Sequence, residues 1–225
     1  MYYLSIDVES VGLWGEGFAY GAVLYNAEGE ELEEHFDACP ADYAADGAPG
    51  DRQWVRANVE PVLPPTRIGC ADLDGQPVRY ATSQTPVEVR ESFLFLLDIM
   101  PYRVGFNPNE LRVICDCPFP VETNFLGRAF AEHPHQRNLQ PYPLIDVASV
   151  IHASGGNPLE TFDRMENERP IHNPVCDARQ SARLFFEIMR EIGSDRSLAI
   201  AHGMYGPPLD FAALTVNVPS SDPSV

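Results

Sequence analysis

Three short runs, Tyr2 to Val8, Gly17 to Tyr25 and Glu31 to Phe36, succeed one another at the start of the chain, and glycine-rich punctuation such as Glu28-Gly29-Glu30 separates them. Runs this short, apolar or alternating, predict β-strands. In this order they predict an antiparallel three-strand meander.

The rest of the chain alternates differently. Ala38 to Gly50 reads as an acidic loop of small residues, and Asp51 to Val59 as a helix that the prolines at 61, 64 and 65 terminate. Residues 67–80 read as irregular. Thr85-Pro86-Val87-Glu88 supplies an N-cap, a first-turn proline and a reciprocal glutamate, predicting a helix to about Met100. Arg112 to Asp116 is a buried strand by composition, and Glu122 to Glu132 the helix after it. Leu144 to Ile151 begins as strand and turns helical. Asn173-Pro174 is a second cap, and apolar residues at 175, 178, 182, 185 and 189 keep helical spacing through Ile192. Three strands, then alternating helix and strand, then a closing helix, give an α/β class with a mixed sheet and helices on its faces. One domain is expected over residues 1–202, followed by a Pro/Ser-rich tail over 203–225.

Composition sets limits on partners. The 225 residues are 44% hydrophobic and 21% charged, enough for a packed core. Net charge is -18, and all 15 basic residues are arginine. A long phosphate backbone would be repelled, whereas metal ions, or a nucleic acid held only at one end, are allowed. The longest apolar run, Phe93 to Leu97, is far too short to span a membrane. The first residues, MYYLSIDVES, have no secretory-leader pattern, and the five cysteines lack paired spacing, so a cytoplasmic protein without a disulfide framework is expected.

Asp7 and Glu9 stand at alternate positions near the end of the first strand and so project from one face. Chance alone supplies about one D-x-E in a chain this acidic, so spacing carries little by itself. Position carries more, because the pair interrupts an apolar strand just before the Gly12 turn. His172 and Asp177 form H-x4-D at the start of the last long helix. Between these motifs the segment CDCPFPVETNFL brings Asp116 at a strand end and Glu122 at a helix start. Carboxylates about 4 Å apart repel by about 4 kcal/mol at an effective dielectric near 20, so such a cluster needs cations. Oxygen ligands point to Mg²⁺ or Mn²⁺.

The order of DVESVGL (Asp7 to Leu13), a mid-chain acid, and HNPVCD (His172 to Asp177) resembles the DEDDh 3′-5′ exonucleases of the RNase H-like superfamily. Over residues 2–192 the chain is most similar to the RNase T and oligoribonuclease group. The resemblance implies an RNase H-like mixed five-stranded sheet with helices on both faces. It implies that Asp7, Glu9 and Asp177 hold one metal, that Asp7 bridges to a second, and that His172 is general base for the attacking water. The second motif departs from the family. Register from Phe125 and Leu126 puts Glu122 where an aspartate is usual, whereas strand placement favours Asp116 as the ligand.

Four other residues carry lesser readings. Leu13 and Trp14 are candidates for stacking a terminal base, and Arg179 for guiding a phosphate. Asp146 reads as a helix cap. The implied substrate is the 3′ end of short single-stranded RNA or DNA, RNA slightly favoured, released as nucleoside 5′-monophosphates. A catalytically silent binding module of this fold and a proofreading DNA exonuclease working in a complex are the rival readings. A homodimer is among the allowed assemblies.

Overall fold

The computed structural model describes residues 1–64, 80–140 and 143–201. The described residues up to 188 form one compact unit, and residues 189–201 belong to a second. The expected irregular stretch lies almost wholly, and the expected tail wholly, outside the described residues.

Among the described residues six strands pair into one sheet, in the spatial order Tyr80–Thr82, Glu31–Ala38, Gly17–Tyr25, Tyr2–Ser10, Leu111–Cys115, Leu144–Asp146. The meander is β1 (Tyr2–Ser10), β2 (Gly17–Tyr25) and β3 (Glu31–Ala38), antiparallel throughout. β5 (Leu111–Cys115) lies parallel to β1, and β6 (Leu144–Asp146) parallel to β5. These five are the mixed RNase H-like sheet expected from the sequence. A three-residue strand, β4 (Tyr80–Thr82), extends the far edge parallel to β3.

Helices cover both faces, and two neighbouring residues of β2 show it, because adjacent strand residues point to opposite sides. Tyr20 packs against Phe93 of α2 (Pro86–Val104) and Phe125 of α3 (Val121–Glu132), with ring centroids 5.2 and 6.2 Å apart. Gly21 faces the start of α5 (Pro174–Ala201), where a Cβ would lie 2.2 Å from the Pro174 carbonyl carbon. No larger residue fits there. Ser5 Oγ, on the same face, donates to the Ala178 carbonyl at 2.7 Å. Together they set the beginning of α5 across the carboxyl half of β1.

Local signals explain most boundaries. Thr85 caps α2 by accepting from the Glu88 N–H at 3.3 Å, and Gly105, at φ 87°, ends it four residues beyond the expected point. Asn173 caps α5, its Oδ1 accepting from Val175 and Cys176 at 3.1 and 3.2 Å. α5 continues past Ile192 to Ala201, because Gly193 alone does not break a helix. Two further helices, α1 (Pro49–Asn58) and α4 (Val147–Ala153), flank the region where the acids gather.

Candidate functional site

The two partners of β1 leave it at different points. Pairing with β5 ends at Ser5–Ile114, while pairing with β2 runs on to Ser10–Gly17. The backbone of residues 6–10 is therefore open on the β5 side. α3 enters that gap, and Glu122, only 5% exposed, accepts a hydrogen bond from the Val8 N–H at 3.2 Å. Its carboxylate thus reaches β1 between Asp7 and Glu9. Openings at the carboxyl ends of strands, where neighbouring connections diverge, are where α/β sheets bind ligands.

Asp7 is the cross-strand partner of Gly21 and shares its face with Ser5 and Glu9, so both acids look toward the start of α5. There Asp177 stands in the first turn. Glu9, His172 and Asp177 each offer a ligand atom within 4.8 Å of the others. His172 precedes the cap in a left-handed conformation, φ 62°, and its backbone N–H donates to Asp177 Oδ2 at 3.0 Å. Its ring meets Trp54 of α1 edge to face, centroids 5.0 Å apart.

Burial and mutual repulsion hold these acids in a common electrostatic state. Burial raises the Asp7 carboxyl well above its ordinary range, and Glu9, Asp177, Glu122 and Asp116 push it further. Glu9 is raised to about 8, by burial first and then by Asp177 and Glu122. Burial likewise raises Glu122 to about 7, even though the Val8 N–H pulls it down. Asp177 is also raised by burial, against the pull of Arg164 and the His172 N–H. Asp116, exposed at the end of β5, is raised by burial of its carboxyl and by Asp146. Buried carboxylates that resist ionisation need a cation in order to ionise. The donor set, five carboxylates with the His172 imidazole beside them, fits divalent metals.

All five predicted metal ligands contribute to this field, with Glu122 buried against β1 and Asp116 at the rim. Leu13 and Trp14 are exposed, at 66% and 68%. Leu13 lines a cleft of about 300 Å³ with Glu9, Gly12, Asp51 and Trp54. Gly12, at φ 78°, makes the turn that opens it, and a Cβ there would meet Asp51 Oδ2 at 2.5 Å. Trp14 packs edge-on against Phe119, also exposed, with centroids 5.6 Å apart.

Arg179 stands elsewhere: it is paired with Glu31 and Glu34 of β3. Among the described residues, the arginine that reaches the acids is Arg164, paired with Asp177. Asp146 occupies the position before α4 but accepts no backbone N–H. It instead takes the Ser149 hydroxyl on Oδ2 and leaves Oδ1 buried without a hydrogen-bond partner. Reading it as a cap fails because the short strand β6 aims its side chain toward the cluster edge, where it acts on Asp116. Sequence reasoning also passed over Trp54 and Phe119. Their only signal was aromatic exposure, which no local pattern reveals.

Among known proteins, the chain matches no protein-family model and no curated protein. It is similar in fold to E. coli ExoI, in the crystal structure of its zinc-bound form in complex with ssDNA. The TM-score is 0.53 at 12% identity, over 89% of this chain. That match covers 43% of the ExoI chain, so this chain spans less than half of it.

Proposed function

We propose that the chain is a metal-dependent 3′-5′ exonuclease that hydrolyses the terminal phosphodiester of short single strands, RNA slightly favoured, and releases nucleoside 5′-monophosphates. The observation that carries this reading is the convergence of Asp7, Glu9, Glu122, Asp177 and His172 at the open end of β1. The likeness in fold to a protein solved with zinc and ssDNA supports it.

Asp7, Glu9, Asp177 and Glu122 are the residues that would hold two divalent ions, Mg²⁺ or Mn²⁺. Such ions supply neutralisation of the carboxylates and stabilisation of charge on the attacking and leaving oxygens. His172, beside Glu9 and Asp177, takes the proton of the attacking water. Oxygen attacks phosphorus as the bond to the 3′-oxygen of the preceding nucleotide breaks, that oxygen takes a proton from solvent to become the new 3′-hydroxyl, and the terminal residue departs as a 5′-monophosphate. Leu13, Trp14 and Phe119 offer apolar faces on which terminal bases stack. The acidity of the rest of the surface, net -18, favours a grip on a few nucleotides over tracking a long strand.

The test is incubation of purified protein with 5′-labelled and 3′-labelled RNA and DNA oligomers in Mg²⁺, Mn²⁺ or EDTA. The 3′ label should leave at once as a mononucleotide while the 5′-labelled strand shortens stepwise, RNA somewhat faster than DNA. EDTA should stop both. Internal cuts as first products, or turnover in EDTA, would overturn the reading, and binding without hydrolysis would make the chain a silent module.

A further inference from the structure

Between α4 and α5 the chain lays a segment without regular helix or strand, apart from one short 3-10 turn, along the edge of the acidic cluster, and its attachment is specific. Glu168, 2% exposed, accepts from Arg183 Nε and Nη2 at 2.6 and 3.1 Å and from the Met165 N–H at 2.9 Å. That staple fixes the segment to α5. It also fixes Arg164, whose Nη1 donates to the Glu168 carbonyl at 3.0 Å and to Asp177 Oδ1.

The way Arg164 is held matters first for metal. Asp177 has a donor on each oxygen, Arg164 on Oδ1 and the His172 N–H on Oδ2, so a cation approaching this carboxylate meets a guanidinium already in place. Only the guanidinium can give way, because the N–H belongs to the turn before α5. It matters next for substrate. A phosphate entering among Asp7, Glu9, Glu122, Asp116 and Asp177 needs a positive donor, and nearby arginines are already engaged. Arg179 holds Glu31 and Glu34, and Arg183 holds Glu168 and Glu187. Arg164 makes its contacts through Nη1, and Nε and Nη2 make no hydrogen bond among the described residues. A guanidinium with two unengaged nitrogens matches two phosphate oxygens.

We propose that Arg164 is a cation shared between Asp177 and the substrate: without metal it neutralises Asp177, and once a divalent ion takes that carboxylate the guanidinium donates to a phosphate oxygen of the nucleic acid. The second half rests on the nuclease reading; the first does not.

The two roles move two measurements in opposite directions. Arg164→Ala removes a competitor from Asp177, so calorimetric titration with Mn²⁺ in the absence of nucleic acid should show binding about tenfold tighter than wild type. The same variant should bind a fluorescein-labelled phosphorothioate oligonucleotide, in saturating Mn²⁺, about 10- to 100-fold more weakly. Arg164→Lys keeps the charge and loses the fork, so its metal affinity should stay near wild type while only part of the oligonucleotide affinity returns. A residue that merely props the segment would weaken both when removed, and that result would overturn the proposal. Tighter metal binding with unchanged oligonucleotide binding would overturn its second half. If wild type binds Mn²⁺ but no oligonucleotide, the nuclease reading falls together with that half, and the metal titration still decides the first. Thermal melts establish folding beforehand, and if the alanine variant is unfolded the lysine variant's split between the two affinities decides the matter.

Discussion

Arg90 and Asp7 are both drawn into the protein, but only Arg90 has its counter-charges there. The Arg90 guanidinium, 1% exposed, donates to both oxygens of Glu132 at 2.8 and 2.6 Å and to Glu16 at 2.7 Å. Glu16 in turn takes the Ala45 N–H at 2.8 Å. Arg128 Nη1 stands 3.6 Å from Glu16, so two guanidinium groups answer two carboxylates, and the group ties α2 and α3 to the turn that carries Leu13 and Trp14. At the end of β1 the signs are unbalanced: Asp7, Glu9, Glu122, Asp116 and Asp177 lie together, and among the described residues the guanidinium paired with them is that of Arg164, on Asp177. A balanced buried network holds a fold together, whereas an unbalanced one stores a demand for ligand.

Breaking each group should therefore damage different things. Asp7→Asn should abolish hydrolysis, measured as release of 3′ label, while the melting temperature in EDTA stays level or rises because a repelled carboxylate has gone. His172→Ala should lower the rate by about 10² to 10⁴ and leave Mn²⁺ binding largely in place. Arg90→Ala should do the reverse. It takes the close partner from buried Glu16, leaving it only Arg128 among the described residues, and frees the exposed Glu132, and should cost about 2 to 3 kcal/mol, or roughly 4 to 12 °C in melting temperature for a chain of this size. Activity per folded molecule should remain well above that of Asp7→Asn. If Asp7→Asn melts far below wild type in EDTA, the carboxylates at β1 are structural and the contrast fails.

The acids of the rim were legible in the sequence because each sits at a local punctuation mark: Asp7 and Glu9 before the Gly12 turn, Asp177 after the Asn173 cap, Glu122 at a helix start. The meander and the capped helices were legible for the same reason. Arg164 was not, since it rides on a segment with no periodicity and meets Asp177 only through the Glu168–Arg183 staple. Arg179 lies on a well-predicted helix, yet its partners Glu31 and Glu34 are fixed by the register of a distant strand. Gly21 did carry a usable signal. A lone glycine inside a strand marks close backbone approach, and here it admits the turn that bears His172.

The unbalanced group should also titrate. Glu9 is raised from 4.5 to about 8 and Glu122 to about 7. Between those limits the folded, metal-free protein keeps protons that the unfolded chain has released, so stability falls as pH rises. The contribution is full below about pH 4.5 and is lost through pH 7 to 8, and the melting temperature in EDTA should drop across that window. Mn²⁺ should reverse the drop at the alkaline end, because there the carboxylates are ionised and take the cation without competition from protons. At a hundredfold excess over its Kd it adds about 2.7 kcal/mol. A melting curve in EDTA that is flat across the window would mean that these carboxylates ionise freely.

The finest contrast lies inside the acidic group, between Glu122 and Asp116. Glu122 is buried, and one of its oxygens is held by the Val8 N–H between Asp7 and Glu9. The remaining capacity of this carboxylate faces the other acids, where a cation would lie. Asp116 is exposed and answers chiefly to Asp146 and Arg164. Glu122→Gln keeps an oxygen for the Val8 N–H and removes the charge, so the fold should survive while most of the Mn²⁺-dependent rise in melting temperature disappears. Asp116→Asn should trim that rise by a smaller amount. Both variants lose one negative charge, so a loss of long-range field alone would weaken metal equally in each, and only direct ligation separates them. Should Asp116→Asn lose the rise and Glu122→Gln retain it, the ligand is set by the end of β5, and the hydrogen bond from Val8 holds a carboxylate with a structural task.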